Sequence, residues 1–270
     1  MVFGGLGFAA NPVRSTGNEN GNPLFPMWST TDPTPSAPSN GDPNGTVWAP
    51  AESPWTLQTG DQWFYSARGG VHPPYQLIEM YEASTGSNAA ALIDIAPFAN
   101  GSVPAEQLAA ATSLGEYVRG CYGSTPVASA NSSALSDAWS TTIRPRSGSN
   151  GTIDRIQLRE DQSKGGQRVR GFTLTATLQN GTSTQLCAGW NDWPRGGPNP
   201  TIAIGNKYIC GFKTPIAITQ ITLSVTATVD GQPPAISQFA AFRCLPLLSE
   251  IEDRWSRAHV SSTAVEAPSA

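Results

Sequence analysis

Near Ser124 the apolar residues of this chain change their spacing, and that change divides the sequence more sharply than any motif does. Upstream the period is that of helices and buried strands. Leu77, Ile78 and Tyr81 share a face in Pro73–Ser84, with Gly86 as a stop, which predicts a helix. Ala89–Ile95 is a continuous apolar run closed by Pro97, as in a strand covered on both faces. A second helix is expected over Pro104–Arg119, with Pro in its first turn, Leu108, Ala111, Leu114 and Val118 inward, and Gly120 at its end. Helix, buried strand, helix is the grammar of α/β folds. Downstream the period is two. Phe172, Leu174, Ala176 and Leu178 alternate with small or polar residues before an Asn180-Gly181 turn. Ile221, Leu223, Val225 and Ala227 do the same before Asp230-Gly231, and Ile202, Ile204, Ile209, Ile236 and Phe239 suggest further short strands. An α/β unit over residues 1–123 followed by an antiparallel β-sandwich over 124–248 is therefore expected. Residues 11–60, rich in Pro, Gly, Asn and Ser, read as surface loops, and the polar residues 249–270 as a disordered tail.

Composition removes several functions. A formal charge of −4 with 13% charged residues gives no basic face for nucleic acid. No apolar run is long enough to cross a membrane. His72 and His259 stand apart, and Cys121, Cys187, Cys210 and Cys244 form no C-x-x-C pair, so no metal or other cofactor is indicated. The cysteines read as disulfides or buried thiols. Asn44, Asn100, Asn131, Asn150 and Asn180 each open an N-x-S/T sequon, which with the cysteines favours a secreted or lumenal glycoprotein. MVFGGLGFAA lacks a basic n-region, and the abrupt opening suggests that further sequence lies upstream. The charged run Arg159–Gly171 reads as a solvated strand edge and turn. Oligomeric state is not legible.

The chemistry-bearing stretch is TGNENGNPLFPMW, Thr16–Trp28. Glu19 sits between two Asn with Gly17 and Gly21 outside them, as a loop presents a carboxylate, and Phe25 and Trp28 follow. By itself such a Glu is most often a plain surface charge. GNENG…MW is followed by TVWAPAES (Thr46–Ser53), QWFYS (Gln62–Ser66) and YQLIEMYEASTGSNAAALIDIAP (Tyr75–Pro97). IQLREDQSKGGQRVRGFTL (Ile156–Leu174), AIGNKYICGF (Ala203–Phe212) and PPAISQFAAF (Pro233–Phe242) continue the series. This succession resembles the distal, C-terminal part of the α-L-fucosidases of glycoside hydrolase family 29, in the plant and bacterial branch acting on α-1,3/1,4 linkages.

The resemblance implies the closing units of a (β/α)₈ TIM barrel followed by a galactose-binding-like β-sandwich, and retaining hydrolysis of terminal α-L-fucose from glycans or oligosaccharides. It maps the family's acid/base onto Glu19. Retaining glycosidases pair such a group with a nucleophilic carboxylate about 5 Å away. In the family that is an Asp on an earlier strand, and no Asp precedes Glu19 here, so the chain as given is expected to lack it and to be inactive alone. Trp63 and Glu52 fall where the family lines its sugar pocket, Trp63 as the aromatic face against the fucose methyl group. Gln62 and Ser66 replace the family's Gly and His, Asp94 stands where Asn is usual, and GGLGFAANP blurs the family's DAGP. A noncatalytic carbohydrate-binding module retaining a barrel remnant is the other class the sequence allows.

Overall fold

A computed structural model describes residues 2–3, 12–34, 38–130, 135, 138–163, 165–188 and 201–263, without side-chain detail for 2–3 and 259–263. The first part holds β1 (Val2–Phe3), β2 (Pro12–Ser15), β3 (Thr30–Thr31), β4 (Val47–Trp48), β5 (Ala51–Thr56), α1 (Pro74–Thr85), β6 (Ala89–Asp94) and α2 (Ala105–Tyr122). Strands β1, β2, β5 and β6 form a four-stranded sheet in that order, with every pairing parallel. Both helices pack on one face of it. Trp55 and Leu57 meet Leu77, Ile78 and Met80 of α1 and Ala110, Leu114 and Tyr117 of α2 in a single cluster.

The two helices and β6 lie where the spacing puts them, within a few residues, but β6 is covered on one face alone, since Ala90 and Leu92 are exposed. Leu108, expected inward, is exposed, because α2 turns the line of Gln107, Ala110, Leu114, Tyr117 and Cys121 to the core. Strand β5 corrects the expectation that residues 11–60 are surface loops. Pro54 hid it, since proline cannot donate to a central ladder. Pro50 and Glu52 accept the N–H groups of Arg14 and Thr16, so Pro54, two residues further, faces the β2 side beyond the last β2 pair, Ser15 with Glu52. The missing N–H falls where the ladder has ended.

The second part holds β7 (Ala128–Ser129), β8 (Ser140–Ile143), β9 (Thr152–Glu160), β10 (Val169–Leu178), β11 (Ser183–Leu186), β12 (Tyr208–Thr228) and β13 (Ile236–Phe242). Their order is β11-β10-β12-β9-β13-β7, with β8 also on β12, all antiparallel. The 21-residue β12 pairs with β9 up to Ala217 and with β10 from Ile218, so it belongs to both groups of strands. Phe172, Leu174 and Ala176 sit opposite Val225, Leu223 and Ile221, the alternation seen in the sequence, and all six are buried in a core to which both groups contribute. Gly181 takes φ +84° in the turn after β10. Ile202 lies in a turn and Ile204 in irregular chain, not in the strands expected of them.

The tail expectation is corrected over 249–263. Leu245–Thr263 is a helix, α3, with Leu248 and Ile251 buried and Trp255 against the α1–α2 cluster. Spacings of three and four residues in an otherwise polar stretch mark one apolar stripe. Residues 264–270 lie outside the described residues.

Buried polar residues join the two parts. Glu82 of α1 receives Arg155 Nε at 3.0 Å on both carboxylate oxygens, and Tyr117 and Tyr122 of α2 donate to its Oε1 at 2.7 and 2.6 Å. Asp154 accepts Arg155 Nη1 and the N–H groups of Cys244 and Leu245 where α3 begins. Disulfides Cys121–Cys244 and Cys187–Cys210 resolve the cysteines; the first ties α2 to the start of α3. The run Arg159–Gly171 is likewise more than a solvated turn. Glu160 takes the N–H groups of Arg168, Val169 and Gly205, and Gln167 bonds Ser29, Asn88 and Met27 across to the parallel part.

Burial pushes the carboxyl groups of Glu160 and Asp154 above the ordinary range, against the backbone N–H bonds that favour the charged form. The folded chain therefore holds these protons more tightly than the unfolded one. The stability this gives is complete below about pH 4 and is lost as pH rises through the raised values. The stability of the chain relative to its Glu160→Gln variant is expected to fall as pH rises from about 4 through the raised Glu160 value. Thermal melts of both proteins across that range check it, and a difference independent of pH would refute it.

Candidate functional site

Because the four strands run parallel, the loops leaving β2, β5 and β6 emerge at one edge of the sheet. That carboxyl edge is where α/β folds place their sites. The first loop, Thr16–Asn22, is tied by its own side chains. Asn18 Nδ2 donates to the Asn22 carbonyl at 2.9 Å, and the Asn22 N–H to Asn20 Oδ1 at 3.1 Å. Gly21, at φ +69°, brings the loop down onto the core, where a Cβ would stand 2.8 Å from the Trp55 ring and 2.9 Å from Met80. Glu19 is left exposed between these ties.

The second loop, 57–72, is held by a residue the sequence reading missed. Gln58 is buried; its Nε2 donates to the carbonyls of Gln62 and Phe64, and its Oε1 accepts the N–H of Ser66. The Thr59 and His72 N–H groups close the base on Gly70 and Leu57. So held, Trp63 donates its Nε1–H to Glu19 Oε2 at 2.9 Å. The two residues, 44 apart in sequence, are brought together. The third loop joins through Phe98, whose ring meets Tyr65 edge-on with centroids 4.5 Å apart. Phe64, between Trp63 and Tyr65, is 87% exposed. Beside them Thr59, Gly60, Gln62, Ser66, Arg68 and Gly69 line an open cleft of about 390 Å³.

Glu52 is placed differently. It is the second residue of β5, half-buried, in register with Ser15 and Ala90, and no described hydrogen bond links its side chain to Glu19 or Trp63. Ser66 and Gln62, the departures from the family, lie in the cleft wall, and the Ser66 N–H belongs to the Gln58 lock. Among the described residues no group of three or more His, Cys, Asp or Glu is placed to hold a metal. His72 Nδ1 lies 2.8 Å from Gln76 Oε1, and the His259 side chain lies outside the described residues.

Parallel strands with helices on one face, a carboxylate and aromatics at their carboxyl edge and a large antiparallel sheet behind make an α/β protein with an attached all-β part. No protein-family model matches the sequence. Alpha-L-fucosidase 1 of Arabidopsis thaliana is 30% identical over 108 residues, which are 37% of this chain and 21% of that protein. A Bacteroides thetaiotaomicron structure assigned to the α-L-fucosidases superposes with a TM-score of 0.75 at 20% identity, over 92% of this chain and 58% of that one. A Ruminococcus gnavus family 29 fucosidase solved with fucose gives 0.72 at 21% identity, over 90% and 52%. The chain thus spans little more than half the length of these structures. It is related in sequence and fold to the α-L-fucosidases of glycoside hydrolase family 29.

Proposed function

We propose that this chain is the distal part of a retaining α-L-fucosidase that removes terminal fucose from glycans or oligosaccharides. One observation carries the assignment: the Glu19 carboxylate, held by Trp63 at the carboxyl edge of the parallel sheet, in a chain with the fold of these enzymes. An exposed carboxylate fixed in direction suits a general acid, which must reach the glycosidic oxygen and later a water. The indole beside it offers an apolar face to a deoxysugar. In this proposal residues 1–123 are the closing units of a (β/α)₈ barrel and 124–248 a galactose-binding-like β-sandwich. The α3 helix packs back on the barrel units. The protein is secreted or lumenal and glycosylated. Asn44, Asn100, Asn150 and Asn180 are all exposed, as such acceptors must be, while Asn131 lies outside the described residues.

Two carboxyl groups are needed for retention, and the nucleophile is placed outside residues 1–270. Purified residues 1–270 are therefore expected to release no aryl group from an aryl α-L-fucoside. They are expected to answer millimolar L-fucose with a shift of the Trp63 indole N–H resonance. Turnover abolished by Glu19→Ala would place the nucleophile within these residues. An indole resonance blind to fucose would remove the sugar site itself.

A further inference from the structure

Asn100 opens the sequon Asn100-Gly101-Ser102 in the β6–α2 loop, one of the loops that leave the carboxyl edge of the parallel sheet. The loop turns tightly there. The Phe98 N–H donates to the Ser102 carbonyl at 2.9 Å, and the Gly101 N–H to the Phe98 carbonyl at 2.8 Å. Asn100 Oδ1 accepts the Ser102 N–H at 3.0 Å and the Ser102 hydroxyl at 2.8 Å. A backbone N–H can only donate, so its partner is the amide oxygen and Nδ2 is the atom left over. No described hydrogen bond uses that nitrogen. Residues 99–103 are all exposed, and Gly101, at φ +83°, has open space where a Cβ would stand. The acceptor atom of the sequon is free, at a tip with room around it.

That tip adjoins the candidate site. The Phe98 ring touches Tyr65, and Tyr65 is two residues from Trp63, which holds Glu19. Two residues span at most about 7 Å, so Asn100 is a neighbour of the Glu19–Trp63 pair. We propose that Asn100 carries an N-linked glycan that stands at the rim of this edge and restricts the site to small fucosylated oligosaccharides, turning away fucose borne on proteins. In the secretory lumen Asn100 Nδ2 attacks the anomeric carbon of a lipid-diphosphate-linked oligosaccharide. A C–N bond replaces the C–O bond to phosphate, the lipid diphosphate departs, and Nδ2 gives up one proton. Transfer takes place on the emerging chain, and the folded loop then keeps the product clear of the core. A short sugar passes beside such a branched chain, whereas a folded glycoprotein must overlap it, and a built-in clash discriminates as a favourable contact does. The proposal rests on the carboxyl edge being a fucose site in a secreted chain. Asn180 supplies an internal control outside these loops, since in the β10–β11 turn its Oδ1 accepts the Thr182 N–H and hydroxyl at 3.0 and 2.7 Å.

The experiment secretes residues 1–270 from a eukaryotic host and maps their peptides by mass spectrometry before and after peptide N-glycosidase, which leaves Asp in place of a glycosylated Asn. The Asn100 peptide is expected to carry glycan. The Trp63 indole N–H is then titrated with L-fucose and with a glycoprotein bearing terminal α-linked fucose, for the parent, Asn100→Gln, Ser102→Ala, Ser102→Thr and Asn180→Gln. All five proteins are expected to answer L-fucose alike. Asn100→Gln and Ser102→Ala, which lose the sequon, are expected to bind the glycoprotein about 10-fold more tightly than the parent. Ser102→Thr, which keeps the sequon, and Asn180→Gln are expected to match the parent. An unmodified Asn100 beside glycosylated Asn150 or Asn180 would overturn the proposal and leave the sugar site standing. Equal affinity for the glycoprotein with and without the Asn100 glycan would do the same. If L-fucose moves Trp63 in none of the five, the sugar site falls and the restriction with it. A secreted chain with no glycan at any sequon would overturn the proposal together with the glycosylated reading.

Discussion

Replacing Glu82 with alanine is expected to destabilise the chain by about 3–5 kcal/mol, the usual consequence of removing one partner of a buried ion pair. Domains are commonly stable by only ~5–15 kcal/mol. Glu82 and Arg155 both have fully buried side chains, and the guanidinium Nε lies 3.0 Å from each carboxylate oxygen. Without Glu82, a cation remains in a dry interior with Asp154 as its nearest anion, at 3.4 Å from Nη1. Two hydroxyls lose their acceptor at the same time. Burial first, and then the Glu82 charge, push the Tyr117 and Tyr122 pKa values well up, so both stay neutral donors throughout. Because α1, α2 and β9 meet here, the damage crosses from the parallel part to the antiparallel one. Arg155→Met added to Glu82→Ala is expected to recover much of the loss, since apolar replacements of buried pairs are often close to neutral. Denaturant titration of the disulfide-bonded chain measures both variants. A loss below about 1 kcal/mol for Glu82→Ala would mean that water or a neighbouring anion reaches Arg155.

How much of this was legible depended on whether an element's burial followed a period. Helices α1 and α2, strand β6 and the β10–β12 pairing could be read directly, because Leu77 with Ile78 and Leu174 with Leu223 bury regular faces. Strand β5 could not, because Pro54 contradicts a central strand until the end of the β2 ladder is known. Helix α3 was hidden because past Leu248 its apolar stripe is carried by Ile251 and Trp255 among polar residues. The buried charges are the deeper failure. Glu82, Asp154, Arg155 and Glu160 look like surface residues in a sequence, and only the partners that distant segments bring reveal otherwise. At the site, the resemblance singled out Glu19 and Trp63, but no local signal joins residues in separate loops. Gln58, whose amide sets the loop that aims Trp63, is an ordinary polar residue until its partners are seen.

In a chain that also carries the proposed nucleophile, Glu19→Gln is expected to lower turnover of natural fucosides about 10²–10⁴-fold, the range that general acid–base catalysis supplies. The amide can still accept the Trp63 Nε1–H, as Glu19 Oε2 does at 2.9 Å, so loop position and sugar affinity should be nearly unchanged. What is lost is the proton for the departing oxygen and, afterwards, the base for the attacking water. These two deficits separate experimentally. A dinitrophenyl fucoside leaves as a stable anion and needs no proton, so bond cleavage should be close to normal and the glycosyl-enzyme should accumulate. An anionic nucleophile such as azide needs no base, so it should restore turnover of that intermediate and trap α-fucosyl azide, the configuration that two successive inversions give. A residue that merely shaped the loop would depress both substrates alike and show no azide rescue. Uniform loss across leaving groups would therefore remove Glu19 from the acid/base role and leave the Glu19–Trp63 bond as a structural tie between two loops.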